Sequence, residues 1–147
     1  MRAGLAGLRW PARVELLGRR PAVIIDAAHN VASVEALLAT LDESFAAGRR
    51  FLLFATTREK DVRGMLQRLL PGFDEVVFTR YLNNPRAVPP EEIAAIALEL
   101  TGRQYPIYAD PLDAWHDVRA RAGADDLICV TGSFFIAAEI RRAVIVN

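Results

Sequence analysis

The chain of 147 residues has one cysteine, Cys129, one lysine, Lys60, and two histidines, His29 and His116. A lone cysteine excludes an intrachain disulfide, and its place inside an apolar run reads as a packed thiol in a reducing compartment. Two distant histidines with no cysteine cluster make a poor zinc set, so no metal site is expected on these residues. His116 falls on an amphipathic helical pattern and reads as a surface residue. Net charge is absent as well: 18 Lys plus Arg balance 18 Asp plus Glu. Neither nucleic acid nor a membrane surface is therefore an expected partner. No apolar run approaches the ~20 residues of a membrane span, and the start shows no cationic, apolar leader, so the expected location is cytoplasmic. The Gly-x-Gly-x-x-Gly and Gly-Lys-Ser/Thr patterns are also missing, so nothing cradles a nucleotide triphosphate unaided.

What is present is a rhythm. Strand-like runs at residues 23–26, 51–55, 75–79, 106–109 and 127–131 alternate with helical patterns at 31–46, 61–70, 90–100, 112–122 and 134–144. This alternation predicts an α/β fold: a Rossmann-like, mostly parallel sheet of about six strands with helices on both faces. Residues 13–17, separated from the next strand only by Gly18-Arg19-Arg20-Pro21, add an antiparallel edge strand. Asp110-Pro111 and Pro89-Pro90-Glu91-Glu92 supply helix starts. The first dozen residues lack a period and read as the remnant of an inter-domain linker, leaving 13–147 as the domain.

The run Ala22-Val23-Ile24-Ile25-Asp26-Ala27-Ala28-His29-Asn30 places an acid and a histidine where a buried strand ends and a helix begins. In open α/β sheets ligands bind at that end. Two accounts hold at this point. Asp26 caps the next helix with His29 as a polar residue at its start, or the two line a crevice, the acid accepting from hydroxyls and the imidazole donating to phosphate or ribose. Thr131-Gly132-Ser133 repeats the situation: either an ordinary N-cap, or a turn offering free N–H groups to an anion or carboxylate. Thr56-Thr57-Arg58-Glu59-Lys60-Asp61 and Asn83-Asn84-Pro85-Arg86 are further polar loops after strands, with Asp61 a capping candidate and Arg86 available for an anion. Together they bring polar groups to one sheet edge.

These pieces, in this order, resemble the carboxy-terminal domain of folylpolyglutamate synthases, some of which are also dihydrofolate synthases, in the Mur ligase superfamily. The resemblance covers nearly the whole chain. Trp10-Pro11-Ala12-Arg13-Val14-Glu15 matches Trp-Pro-Gly-Arg-Leu-Glu, and Asp26-Ala27-Ala28-His29-Asn30 matches Asp-Gly-Ala-His-Asn. Lys60-Asp61, Pro85-Arg86-Ala87 and Thr131-Gly132-Ser133 also fit; Ala12, Ala27, Val31 and Glu59 depart from the pattern without removing a charged nucleotide contact.

The resemblance implies an ATP-dependent ligase that joins glutamate to folate through an acyl phosphate, with magnesium ligands on an amino-terminal ATPase domain as partner. It implies that Asp26, His29 and Asn30 contact the nucleotide and that Arg13 reaches its phosphates, with Arg13 and His29 as catalytic groups. Ser133 would lie near the glutamate pocket, and Lys60 and Asp61 at the domain interface or near the active site. Without the ATPase domain the chain alone is expected to be inactive. A stand-alone binding module for a nucleotide or protein, and a Mur peptidoglycan ligase domain, remain the alternatives.

Overall fold

The computed structural model describes residues 8–9 and 14–146. Six strands form one sheet: β1 Leu8–Arg9, β2 Glu15–Arg19, β3 Ala22–Ile25, β4 Arg50–Phe54, β5 Glu75–Phe78 and β6 Leu127–Thr131. Their spatial order is β1-β2-β3-β6-β4-β5. β3, β6, β4 and β5 run parallel, while β2 is antiparallel to both β1 and β3. The helices are α1 Val31–Ser44, α2 Val62–Leu69, α3 Pro90–Thr101, α4 Pro111–Arg121 and α5 Phe134–Val146, with a 3-10 turn over Leu70–Gly72.

Side chains that alternate along each strand build two cores. Ile24, Leu52, Phe54 and Cys129 face Val34, Leu37, Leu41, Met65, Leu66 and Ile93 of α1, α2 and α3. Val23, Ile25, Leu53 and Val130 face Trp115, Val118, Ile136 and Ile140 of α4 and α5. Cys129 is fully buried, and desolvation pushes its thiol well above the usual range. The central strands are apolar on both faces because both faces are covered.

The expected strand at 106–109 does not form. Its backbone touches β5 only through Phe78 N–H to the Pro106 carbonyl (3.0 Å) and Tyr108 N–H to the Phe78 carbonyl (2.9 Å), an isolated bridge. Pro106 has no N–H to extend a ladder, and the segment lies outside β5 with Ile107 exposed. Nor is the antiparallel strand β2 the edge: Leu8–Arg9, within the expected linker remnant, pairs outside it. α3 starts at Pro90 as expected, with Glu91 and Glu92 in its first turn, and Pro89 before it makes no side-chain cap bond. Among the described residues no helix is long and apolar enough to cross a membrane.

Candidate functional site

β3 and β6 are neighbours and parallel, yet the helix after β3 packs on one face and the helix after β6 on the other. The chain thus parts at their carboxyl ends, and the turns Asp26–Asn30 and Thr131–Ser133 meet at that parting.

Asp26 is 1% exposed. Its N–H donates to the Val130 carbonyl at 3.0 Å, which extends the sheet by one rung. Its Oδ2 accepts the Ala28 N–H at 2.7 Å and a longer contact from the Thr131 hydroxyl at 3.4 Å. The carboxylate is therefore folded into its own turn, fixed in place rather than capping α1. That cap belongs to Asn30. Its Oδ1 accepts the Ser33 N–H at 2.8 Å, and the Ser33 hydroxyl oxygen accepts the Asn30 N–H at 3.1 Å, a reciprocal capping box. The spacing Asn30-x-x-Ser33 carried this signal in the sequence. His29 is half-buried, with Nδ1 3.1 Å from the Ala27 carbonyl oxygen and its N–H donating to Ser33 Oγ.

Ser133 is buried, and its Oγ accepts the Ile136 N–H at 3.1 Å, so it caps the start of α5. Gly132 makes this turn possible. Its φ is 122°, and a Cβ there would run into the Ala55 carbonyl oxygen and lie 2.9 Å from the Phe54 ring. β6 and β4 can approach this closely only at a glycine.

Lys60 and Asp61 stand on the loop after β4 at the same edge, both exposed. Asp61 Oδ1 accepts the Gly64 N–H at 2.9 Å and caps α2. Glu59 in this loop has φ 75°, a left-handed conformation that is unusual away from glycine. Arg86, expected to be open to an anion, instead pairs with Glu59 at 2.6 Å. Arg13 lies outside the described residues. The structure thus gathers Asp26, His29, Asn30 and Ser133 at one parting of the sheet, with Lys60 and Asp61 on the next loop along.

Several participants were not singled out in the sequence. Glu15 on β2 and Arg141 on α5 form a two-point ion pair at 2.8 and 3.0 Å, and together with Asp26 and Phe134 line a concavity of about 370 Å³. Tyr81, fully buried, meets the Thr57 hydroxyl at 2.6 Å and stacks near Phe135, tying the loop after β4 to α5. Glu139 accepts N–H groups of Leu82 and Asn83, which fastens the loop after β5 to the same helix. These contacts join residues more than 20 positions apart, and no local pattern marks them.

The Mur ligase, glutamate ligase domain family matches residues 12–134. A dihydrofolate synthase/folylpolyglutamate synthase of Bacillus subtilis is 29% identical over 97% of this chain and 32% of its own length. Among solved structures, Escherichia coli FolC in complex with DHPP and ADP superposes with a TM-score of 0.81 at 27% identity, covering 93% of this chain and 32% of that one. A Mycobacterium tuberculosis folylpolyglutamate synthase complexed with ADP and AMPPCP gives 0.78 at 32% identity, covering 93% and 33%. The chain thus spans about a third of the length of the relatives it matches. With the match running over residues 12–134, most of its length, the chain belongs to the Mur ligase, glutamate ligase domain family.

Proposed function

We propose that this chain is the carboxy-terminal domain of an ATP-dependent ligase that adds glutamate to a folate, closing over a nucleotide held by an amino-terminal ATPase domain. The observation that carries this reading is the meeting of the Asp26–Asn30 and Thr131–Ser133 turns at the sheet's parting, in a member of this family. ATP supplies the phosphoryl group that converts the folate carboxylate into an acyl phosphate; the glutamate amine then attacks the carbonyl carbon and phosphate leaves.

The residues suit these tasks. Asp26, fixed by the Ala28 N–H, presents an acceptor to hydroxyls of a ribose. His29 can keep Nδ1 on the Ala27 carbonyl, and when protonated it donates from Nε2 to a phosphate oxygen. Asn30 spends its carbonyl oxygen on the cap, which leaves its amide nitrogen for the nucleotide. Arg13 reaches the phosphates, where a planar guanidinium matches developing charge. Ser133 accepts a backbone N–H, so its own proton is available to a glutamate carboxylate. Lys60 and Asp61 face the partner domain. Among the described residues no group of three His, Cys, Asp or Glu suits a metal ion. We assign the metal to the amino-terminal ATPase domain, as the resemblance implies.

The test is an assay of the complete ligase with ATP, glutamate and either dihydrofolate or tetrahydrofolate. The expected outcome is folate-dependent release of ADP and phosphate, with a product heavier by one glutamyl unit. ATP turnover that requires a muramyl nucleotide instead of a folate would overturn the reading.

A further inference from the structure

α5 starts at the Ser133 cap and then grips the loop after β5 at two places one turn apart. Phe135 lies against the Tyr81 ring, with centroids 5.1 Å apart. Four positions on, and so on the same face of the helix, the Glu139 carboxylate accepts two consecutive backbone N–H groups, those of Leu82 and Asn83, each at 3.0 Å. An ionised acceptor makes the stronger class of such bonds. The loop after β5 in turn carries the loop after β4. The Arg58 N–H donates to the Arg86 carbonyl at 2.8 Å, the Val88 N–H donates to the Thr56 carbonyl at 3.0 Å, and Arg86 pairs with Glu59. Lys60 follows directly. It is exposed, and the acids on either side of it are spent elsewhere, Glu59 on Arg86 and Asp61 on the α2 cap. Among the described residues no acid pairs with Lys60. A cation on a loop is placed only as well as its loop, and this loop is tied back to the helix that bears Ser133.

We propose that Glu139 is a positioning residue: by holding Leu82 and Asn83 it sets the Lys60 loop at a fixed place relative to Ser133, so that the two residues hold the two carboxylates of glutamate and leave its amine free to attack. This rests on the glutamate reading of Ser133 given above. A dicarboxylate is held at both ends only when its two donors keep a set separation, and Ser133 and Lys60 stand on different elements. Small displacements of such donors weaken orientation steeply. None of the bonds that run from Glu139 through Arg86 to Glu59 involves the Asp26–Asn30 turn, so nucleotide binding is spared. Bonds that merely fasten a loop to α5 make a different forecast: their loss lowers stability and leaves the KM for glutamate where it was.

The experiment uses the complete ligase and measures kcat and the KM for glutamate and for ATP, beside thermal unfolding. Glu139→Ala is expected to raise the glutamate KM about tenfold, with kcat within about threefold and the ATP KM within about twofold. Glu139→Asp keeps the charge but falls one methylene short of the two N–H groups. It should raise the glutamate KM about fivefold, which keeps the test open if Glu139→Ala does not fold. Glu139→Gln keeps the reach and one acceptor oxygen, and should stay within about threefold of the parent. Glu139→Ala added to Lys60→Met should raise the glutamate KM no more than about twofold over Lys60→Met alone, because Glu139 acts through Lys60. A glutamate KM unchanged in Glu139→Ala and Glu139→Asp, a Glu139→Gln enzyme as poor as Glu139→Ala, or full additivity with Lys60→Met would each overturn the proposal. A parent that makes glutamyl folate while the Glu139 variants keep its glutamate KM sinks this inference and leaves the activity reading standing. A parent that ligates no glutamate sinks both.

Discussion

Two acids at opposite ends of the central sheet invite comparison. Asp126 stands just before β6, and Asp26 just after β3; both are largely buried, and each borders a concavity of about 370 Å³. Asp126 is turned into a structural knot. Its Oδ2 accepts the Gly123 N–H at 2.7 Å and its Oδ1 the Arg49 N–H at 2.8 Å, with the Arg49 guanidinium at 3.3 Å. These bonds hold its carboxyl below the usual carboxylate range, the Gly123 N–H first and the Arg49 N–H next. Arg20, which borders the same concavity, pairs with Asp125 in solvent. Asp26 instead lies at the carboxyl end of the strands, where the chain parts and the helix starts of α1 and α5 converge. Burial of an acid does not itself mark a site. The end of the sheet it occupies, and what the adjoining turns offer, decide the matter.

The strongest way to break this contrast is at Gly132. Gly132→Ala puts a Cβ against the Ala55 carbonyl at φ 122°, and is expected to lower stability by about 3 kcal/mol or more in denaturant unfolding. Gly102 has φ 75° but nothing within 4 Å, so Gly102→Ala should cost only about 1 kcal/mol. Equal losses at the two positions would mean that φ alone, and not the close approach of β6 and β4, sets the cost.

Asp26→Ala in the complete ligase should reduce kcat/KM for ATP about a hundredfold, while the domain still folds at a cost of about 1–3 kcal/mol for the orphaned Ala28 N–H. If that variant kept parental kinetics, the assignment of the carboxyl edge would fail. Tyr81→Phe keeps the ring against Phe135 but leaves the buried Thr57 hydroxyl without its partner, at about 1–2 kcal/mol by thermal unfolding. A neutral result there would show that the loop after β4 is held by its backbone bridges instead.

The smallest effect is at the opposite end. Because the folded Asp126 carboxyl sits below its unfolded value, its stabilisation is complete above the ordinary carboxylate range and fades as pH falls through the folded value. Asp126→Asn should therefore lower stability at neutral pH, flatten the acid limb of the stability–pH curve, and leave ligase kinetics unchanged.

Much of this was legible along the chain. The β-branched run before Asp26 and the helical spacing of Val34, Leu37 and Leu41 are local signals, and strand and helix formed where they lay. The caps at Asp61 and Asp110 were equally local, since an N-cap bonds within three residues. Failures arose where a neighbour decides. Residues 106–109 had the composition of a strand but only one partner edge, with a proline on it. Arg86 looked open until Glu59, 27 positions earlier, closed on it.

The sequence by itself determined the alternation of strands and helices, the family and the order of the polar turns, because each depends on patterns within a few residues or on motifs in line. Only the tertiary structure decided that β6 enters between β3 and β4, so that Ser133 comes beside Asp26, and that Arg141 reaches Glu15 across 126 positions. Such pairings depend on strand order and helix placement, which satisfy the whole core at once and are written in no single segment.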